Sequence, residues 1–190
     1  MTTTMTKEKN PITPAVRMLR EFNVQFTEHP YKYEERGGTE VSARELGVDE
    51  HTVVKTLIME DDKKNPMVVL MHGDLEVSTK YFARLLDAKS VRPCAPDVAH
   101  KHSGYIVGGT SPFGTRKIMP VYTEESILSL PKIYIKVRGD ILSASIPRSW
   151  CGCSSLSWSE WESDRQLADL LACQLAGKST SHPRLNIYPF

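Results

Sequence analysis

The sequence predicts an α+β domain built on a twisted mixed sheet, and three observations lead there. Two apolar runs rich in β-branched residues, 53–59 and 66–71, flank a polar stretch at 60–65, which is the pattern of a buried hairpin. Segments with apolar residues at helical spacing lie on both sides of it and open on capping residues. Helices and strands do not alternate regularly, so a doubly wound βαβ arrangement is not expected.

Taken in order, Thr13 and Pro14 form an N-cap and first helical position, and Val16, Leu19 and Phe22 follow at helical spacing to an end near Asn23. Residues 24–26 form a short strand running into His29-Pro30-Tyr31, and a loop with Gly37 and Gly38 comes next. Thr39 caps a second helix that carries Val41 and Leu46 and closes at Gly47 in a left-handed cap. After the hairpin, Ser78 caps a helix running to about Asp87, with Phe82, Leu85 and Leu86 on its inner side. A short helix fits 96–102, strands fit 105–107, 118–122 and 133–135, and a short helix fits 124–130. A further amphipathic segment at 164–176 carries Leu167, Leu170, Leu171 and Leu175.

Composition narrows the function classes. At 190 residues, 40% hydrophobic and 25% charged, the chain reads as one soluble domain with a tail. No apolar run approaches the roughly 20 residues that span a bilayer, and the Thr-rich start lacks a signal-peptide core, so a cytosolic protein with no membrane partner is expected. With 24 Lys+Arg against 23 Asp+Glu there is no broad basic face for binding along a duplex. DNA is therefore not an expected partner, and any nucleic-acid contact is local.

Lys55 is the most informative single residue, because burying an unpaired ammonium inside an apolar strand is costly. It is either a strand-end lysine whose head reaches water or an anion site at a pocket mouth. The segment GYIVGGTSPFG at 104–114 is a second candidate. Adjacent glycines let main-chain N–H groups approach a ligand, and Thr110 and Ser111 add hydroxyls. Its spacing matches neither a GxGxxG fingerprint nor a Walker loop, and a Gly-Gly segment by itself is more often only a turn. Cys94 has no CxxC partner, Cys151 and Cys153 form an isolated CxC, and His72, His100 and His102 lack a convincing third ligand, so neither metal nor cofactor is expected. No GxSxG elbow is present.

TPAVRMLREFNVQFTEHPY, VSARELGV, VVKTLIM and GYIVGGTSPFGTRK, in this order and spacing, resemble the YbaK/EbsC family, free-standing Cys-tRNA(Pro) deacylases related to the editing domain of prolyl-tRNA synthetase. The resemblance runs from about Thr13 to Lys136, with 1–12 as a flexible leader, and Lys55-Thr56 favours the YbaK branch over the alanine-specific one. It implies a barrel-like sheet with surrounding helices and a trans-editing reaction in which the thiol of the mischarged cysteine attacks its own ester, giving a thiolactone and free tRNA. Lys55 is then the catalytic residue, holding a phosphate near the terminal adenosine. Tyr31 and Thr56 line the pocket, and Gly108, Gly109, Thr110 and Ser111 place donors around the aminoacyl group. The implied partners are the aminoacyl-tRNA acceptor end and, transiently, prolyl-tRNA synthetase. A deacylase of this fold for another amino acid, or a non-catalytic binding module for the tRNA end or the synthetase, are the alternatives.

Residues 137–190 depart from the family pattern. All three Trp (Trp150, Trp158, Trp161) and three of the four Cys fall there. The resemblance implies a Gly-Gly-basic-Arg-Gly turn, a core strand and an Asp-Pro-led helix after IYIK. Read two bases later from Lys136, the genetic code permits GKRGYLVSIDPAELVRVL, the ending the family leads one to expect. The tail is therefore read either as an out-of-frame translation that deprives the domain of a buried strand and its closing helix, or as a genuine divergent tail in which 164–176 is a replacement helix.

Overall fold

The protein is described by a computed structural model covering residues 12–31, 34, 37–138, 141–145 and 185–188. The leader through residue 11, the Trp and Cys cluster and the segment 164–176 lie outside the described residues.

Helix α1 (Pro14–Glu21) opens on Thr13, whose hydroxyl accepts from the Val16 N–H and donates to the carbonyl of Val137, so the cap also ties the helix to the sheet. Strand β1 (Phe26–Pro30) begins two residues later than expected, after Asn23 turns the chain at φ 54°. Helix α2 (Gly38–Leu46) closes at Gly47 in the left-handed region, as its sequence predicts. Its start differs, because Gly37 is the N-cap and the Thr39 hydroxyl bonds Glu50 and the carbonyl of Gly73 instead.

Strands β2 (Val53–Asp61) and β3 (Pro66–His72) pair antiparallel from Val54↔His72 to Glu60↔Pro66. The Asp61 carboxylate holds their turn by accepting from the backbone N–H groups of Lys63 and Asn65. Helix α3 (Thr79–Leu85) starts at Ser78 without a side-chain cap bond. Strand β4 (Val91–Pro93), too short to leave a period-2 signal, pairs with the far end of β2. Helix α4 (Pro96–Ser103) has Pro at its start and Gly104 at φ 79° as its end. Residues 105–107 are not a strand: the Ser103 hydroxyl takes the Tyr105 N–H, and Gly109 N–H turns back to Ile106 O. Strand β5 (Val121–Glu124) lies later than the 118–122 reading, and 124–130 is a 3-10 turn over Glu125–Ser129. Strands β6 (Ile133–Arg138), β7 (Ile141–Ser145) and β8 (Leu185–Tyr188) complete the described chain.

The strands form one mixed sheet in the order β1-β7-β6-β2-β3-β5-β8, with β4 beside β2. The α+β class stands, but barrel closure does not. β1 and β8 lie at opposite ends of an open path, because β7 fills the side of β6 and β1 becomes an outer strand. A strand thus occupies the position after β6, where the frame reading expected one to be missing.

Alternation along β2 and β6 divides the core. Val54, Ile58, Ile133 and Ile135 face the main core with Ala15, Val16 and Leu19 of α1. Met59, Met67, Val69 and Tyr122 pack with Phe82 of α3 on the other side. Val53 makes a smaller cluster with Tyr31 and Ala43, against which Tyr134 rests. No helix among the described residues is long and apolar enough to cross a membrane.

Candidate functional site

The central strand leaves one edge incomplete. On that side β2 pairs with β6 only at Val53 and Val54, and with β4 only from Met59 to Asp61. The carbonyl of Ile58 faces β4, accepting from Cys94 N–H at 2.9 Å. Because backbone groups alternate sides along a strand, the N–H and C=O of Thr56 face the gap between β6 and β4.

Lys55 and Thr56 flank this gap on opposite faces of the sheet. Lys55 shares its face with Val53, and its half-buried ammonium donates to the carbonyl of Gly73 at 3.1 Å. It makes no ion pair with a carboxylate among the described residues. The approach of Gly73 needs a glycine, since a Cβ there would stand 2.8 Å from the carbonyl of Glu50. Thr56 shares its face with Val54 and Ile58, and its hydroxyl is buried with no hydrogen-bond partner among the described residues. A buried hydroxyl without a partner is uncommon in a finished fold and suits a ligand that completes it.

Lys136, which the sequence reading left without a role, joins the expected residues. The pairing Val54↔Ile135 puts it in register beside Lys55 on the adjoining strand and the same face. Its Nζ donates to the carbonyl of Gly108 at 2.6 Å and lies 5.7 Å from the centre of the Tyr31 ring. Tyr31, Lys136 and Gly108 are thereby linked, with Lys55 one strand away. The available signal was register, a non-local property that IYIK alone does not reveal.

The glycine segment is a closed loop. Its neck is fixed by Arg116 N–H to Ser103 O, Lys117 N–H to His102 O, and the Tyr105 hydroxyl to Phe113 O at 2.7 Å. Burial pushes the Tyr105 phenol above its ordinary pKa, which keeps it protonated as the donor of that bond. Gly108 sits at φ 91°, a conformation open to glycine, and its backbone is exposed at the loop tip. Thr110 and Ser111 are turned inward: Thr110 Oγ1 reaches Ile106 O at 3.5 Å, and the fully buried Ser111 accepts from Phe113 N–H. Gly109 is held in the turn to Ile106.

Among the described residues the nearest approach to a metal ligand set is His51, His72 and Asp74, with one ligand atom from each within 4.8 Å of the others. The geometry does not suit an ion. The two imidazoles stack at 3.7 Å and 9°, so their in-plane lone pairs do not converge. His72 donates from Nδ1 to the carbonyl of His51, and its Nε2 meets Glu124 and Ser126, so both ring nitrogens are engaged. His100, another residue weighed for metal, bonds Tyr105 O. The Cys94 thiol is half-buried and pushed up by burial and then by Glu60, which keeps it from acting as a thiolate.

Comparison with known proteins agrees with this architecture. The sequence model of the aminoacyl-tRNA editing domain matches residues 34–137. An Enterococcus faecalis protein named "Putative Cys-tRNA(Pro)/Cys-tRNA(Cys) deacylase EbsC" is 30% identical over 120 residues, 63% of this chain and 73% of that protein. The crystal structure of a hypothetical protein superposes with a TM-score of 0.66 at 23% identity, covering 73% of this chain and 91% of the other. That of "a putative trans-editing enzyme for prolyl tRNA synthetase" gives 0.60 at 20% identity, covering 73% and 90%. These two likenesses establish a shared fold. The family match covers more than half of the sequence and contains the Lys55 strand, the glycine loop and Lys136, and the chain belongs to the aminoacyl-tRNA editing domain family.

Proposed function

We propose that the protein deacylates Cys-tRNA(Pro), with the acceptor end seated at the gap in β2. The carrying observation is the neighbouring pair Lys55 and Lys136 on one face of that gap, with the Gly108 loop tip tied to it. Two lysines on adjoining strands and one face favour an anion, and the 3′-terminal nucleotide of a tRNA supplies phosphates. Lys55 is assigned the phosphate contact, Tyr31 and Thr56 the pocket walls, and Gly108 and Gly109 the close backbone approach.

The reaction asks little covalent chemistry of the protein. The substrate thiol attacks the ester carbonyl carbon, a carbon–sulfur bond forms, and the carbon–oxygen bond to the ribose breaks. The leaving ribose oxygen takes the proton that the sulfur gives up, and the products are a thiolactone and free tRNA. The chain contributes positioning and donors for the carbonyl oxygen, for which the N–H and hydroxyl of Thr56 are assigned. An ester without a thiol lacks the nucleophile, so serine and alanine esters react poorly by this route.

The test is ester loss from Cys-, Ala- and Ser-tRNA(Pro), with Lys55→Ala as control. Selective loss of the cysteine ester, reduced at least 100-fold by the substitution, is expected. Preferential loss of the alanine or serine ester points to another amino-acid selectivity, equal loss of all three rules out the substrate-thiol route, and binding without turnover points to a non-catalytic module. Transient association with prolyl-tRNA synthetase belongs to the same proposal. It predicts faster deacylation at low substrate when that enzyme is added, and an unchanged rate counts against it.

A further inference from the structure

A basic patch stands beside the glycine loop, outside the gap in β2. Lys101, in the last turn of α4, and Arg116 and Lys117, at the end of the loop, are all exposed. The two neck bonds, Arg116 N–H to Ser103 O and Lys117 N–H to His102 O, hold the chain carrying Arg116 and Lys117 against the end of α4. A Cβ on Gly104 would stand 3.6 Å from the Arg116 Nε, so the guanidinium lies over the glycine that opens the loop.

None of the three makes an ion pair with a carboxylate among the described residues, whereas Arg44, Lys64 and Arg92 each do. His102, partly buried and next to Lys101, is held below its ordinary pKa by burial first and then by the Lys117 and Lys101 ammoniums, against the opposing Glu60 carboxylate. The basic last turn of α4 also complements the carbonyl end of that helix. Arg116 and Lys117 lie off the helix, so that role does not account for them. Ile106 in the loop and Ile118 next to Lys117 are 78% and 82% exposed, so the surface around these cations is open to a ligand.

We infer that Lys101, Arg116 and Lys117 form a second, sequence-independent contact with RNA, binding backbone phosphates of the acceptor arm behind the terminal nucleotide. The inference rests on the proposed function for the identity of the RNA, and it adds a binding surface apart from Lys55. In a chain of net charge +1 these side chains supply a local electrostatic footprint.

The test is binding of unacylated tRNA(Pro) transcript across 50 to 300 mM salt to the whole protein, to the triple variant Lys101→Ala/Arg116→Ala/Lys117→Ala, and to the charge-keeping Lys101→Arg/Arg116→Lys/Lys117→Arg. Each phosphate contact contributes about 0.7 to 0.9 to the slope of log K against log salt. The alanine variant should lose at least tenfold in affinity at low salt, with a slope smaller by about 2. The charge-keeping variant should retain the slope, and far-ultraviolet circular dichroism should be the same for all three proteins. An unchanged slope in the alanine variant, or no binding by the unaltered protein at 50 mM salt, overturns the inference. A patch-dependent slope without ester hydrolysis leaves it standing while the deacylase reading fails, so the two fail separately.

Discussion

The Glu60 carboxylate accepts from the Lys64 ammonium at 2.6 Å and the Arg92 guanidinium at 2.9 Å, at the far end of β2 from Lys55. The hydrogen bond from Lys64 holds its pKa below the ordinary carboxylate range, against the opposing effect of burial. A depressed folded-state pKa means the unfolded chain binds the proton more readily, so the stabilisation exists above the unfolded value near 4.5 and is lost as pH falls through the folded value. Glu60→Gln should therefore lower stability at pH 7, and the deficit should disappear in acid; urea titrations at pH 7 and pH 3 measure it. Thr56 makes the opposite case. Replacing its buried, unpartnered hydroxyl by a methyl group in Thr56→Val should leave stability unchanged or raise it by up to about 1 kcal/mol, while deacylation falls. Calorimetry alongside the ester assay distinguishes this from a structural role, in which both properties fall together. Lys55 could be singled out from sequence because a charge inside an apolar run is visible in one dimension. Thr56 stood beside it in the motif, but its isolation depends on neighbours that belong to other strands.

At the scale of elements, the site is a strand with an interrupted edge and a loop with a fixed neck. The hairpin of β2 and β3 was legible because both strands carry long runs of apolar residues and their turn carries Asp61 and Asn65. The gap was not legible, since it is set by where the pairing of β6 with β2 stops and that of the three-residue β4 begins. Residues 105–107 have the apolar composition of a strand, yet Tyr105 serves as a strut across the loop neck. Tyr105→Phe removes the hydroxyl that satisfies Phe113 O and should cost about 1 to 3 kcal/mol. If the neck positions Gly108, the substitution also raises KM more than it lowers kcat; steady-state kinetics beside urea denaturation separates the two effects.

At the scale of the whole molecule, the family match ends at Val137, one residue past Lys136. We hold to the proposal that the chain beyond Lys136 is read out of frame. The pairing of β7 with both β1 and β6 does not oppose it, because a backbone ladder accepts many side-chain sequences. A protein carrying GKRGYLVSIDPAELVRVL after Lys136 should unfold at a higher urea concentration than this one, through added apolar burial. Coding DNA whose bases do not permit that ending refutes the proposal.

The interrupted edge of β2 also bears on solubility. Backbone donors and acceptors left open beside a sheet are a template for another chain, and proteins blunt such edges by keeping them short and placing lysine next to them. Here only the residues from Lys55 to Ile58 lie between the pairings with β6 and β4, and Lys55 and Lys136 stand at that opening. The charges assigned to hold a nucleotide thereby also discourage a second copy from adding a strand, so substitutions made to probe the chemistry remove a safeguard against aggregation along with the activity.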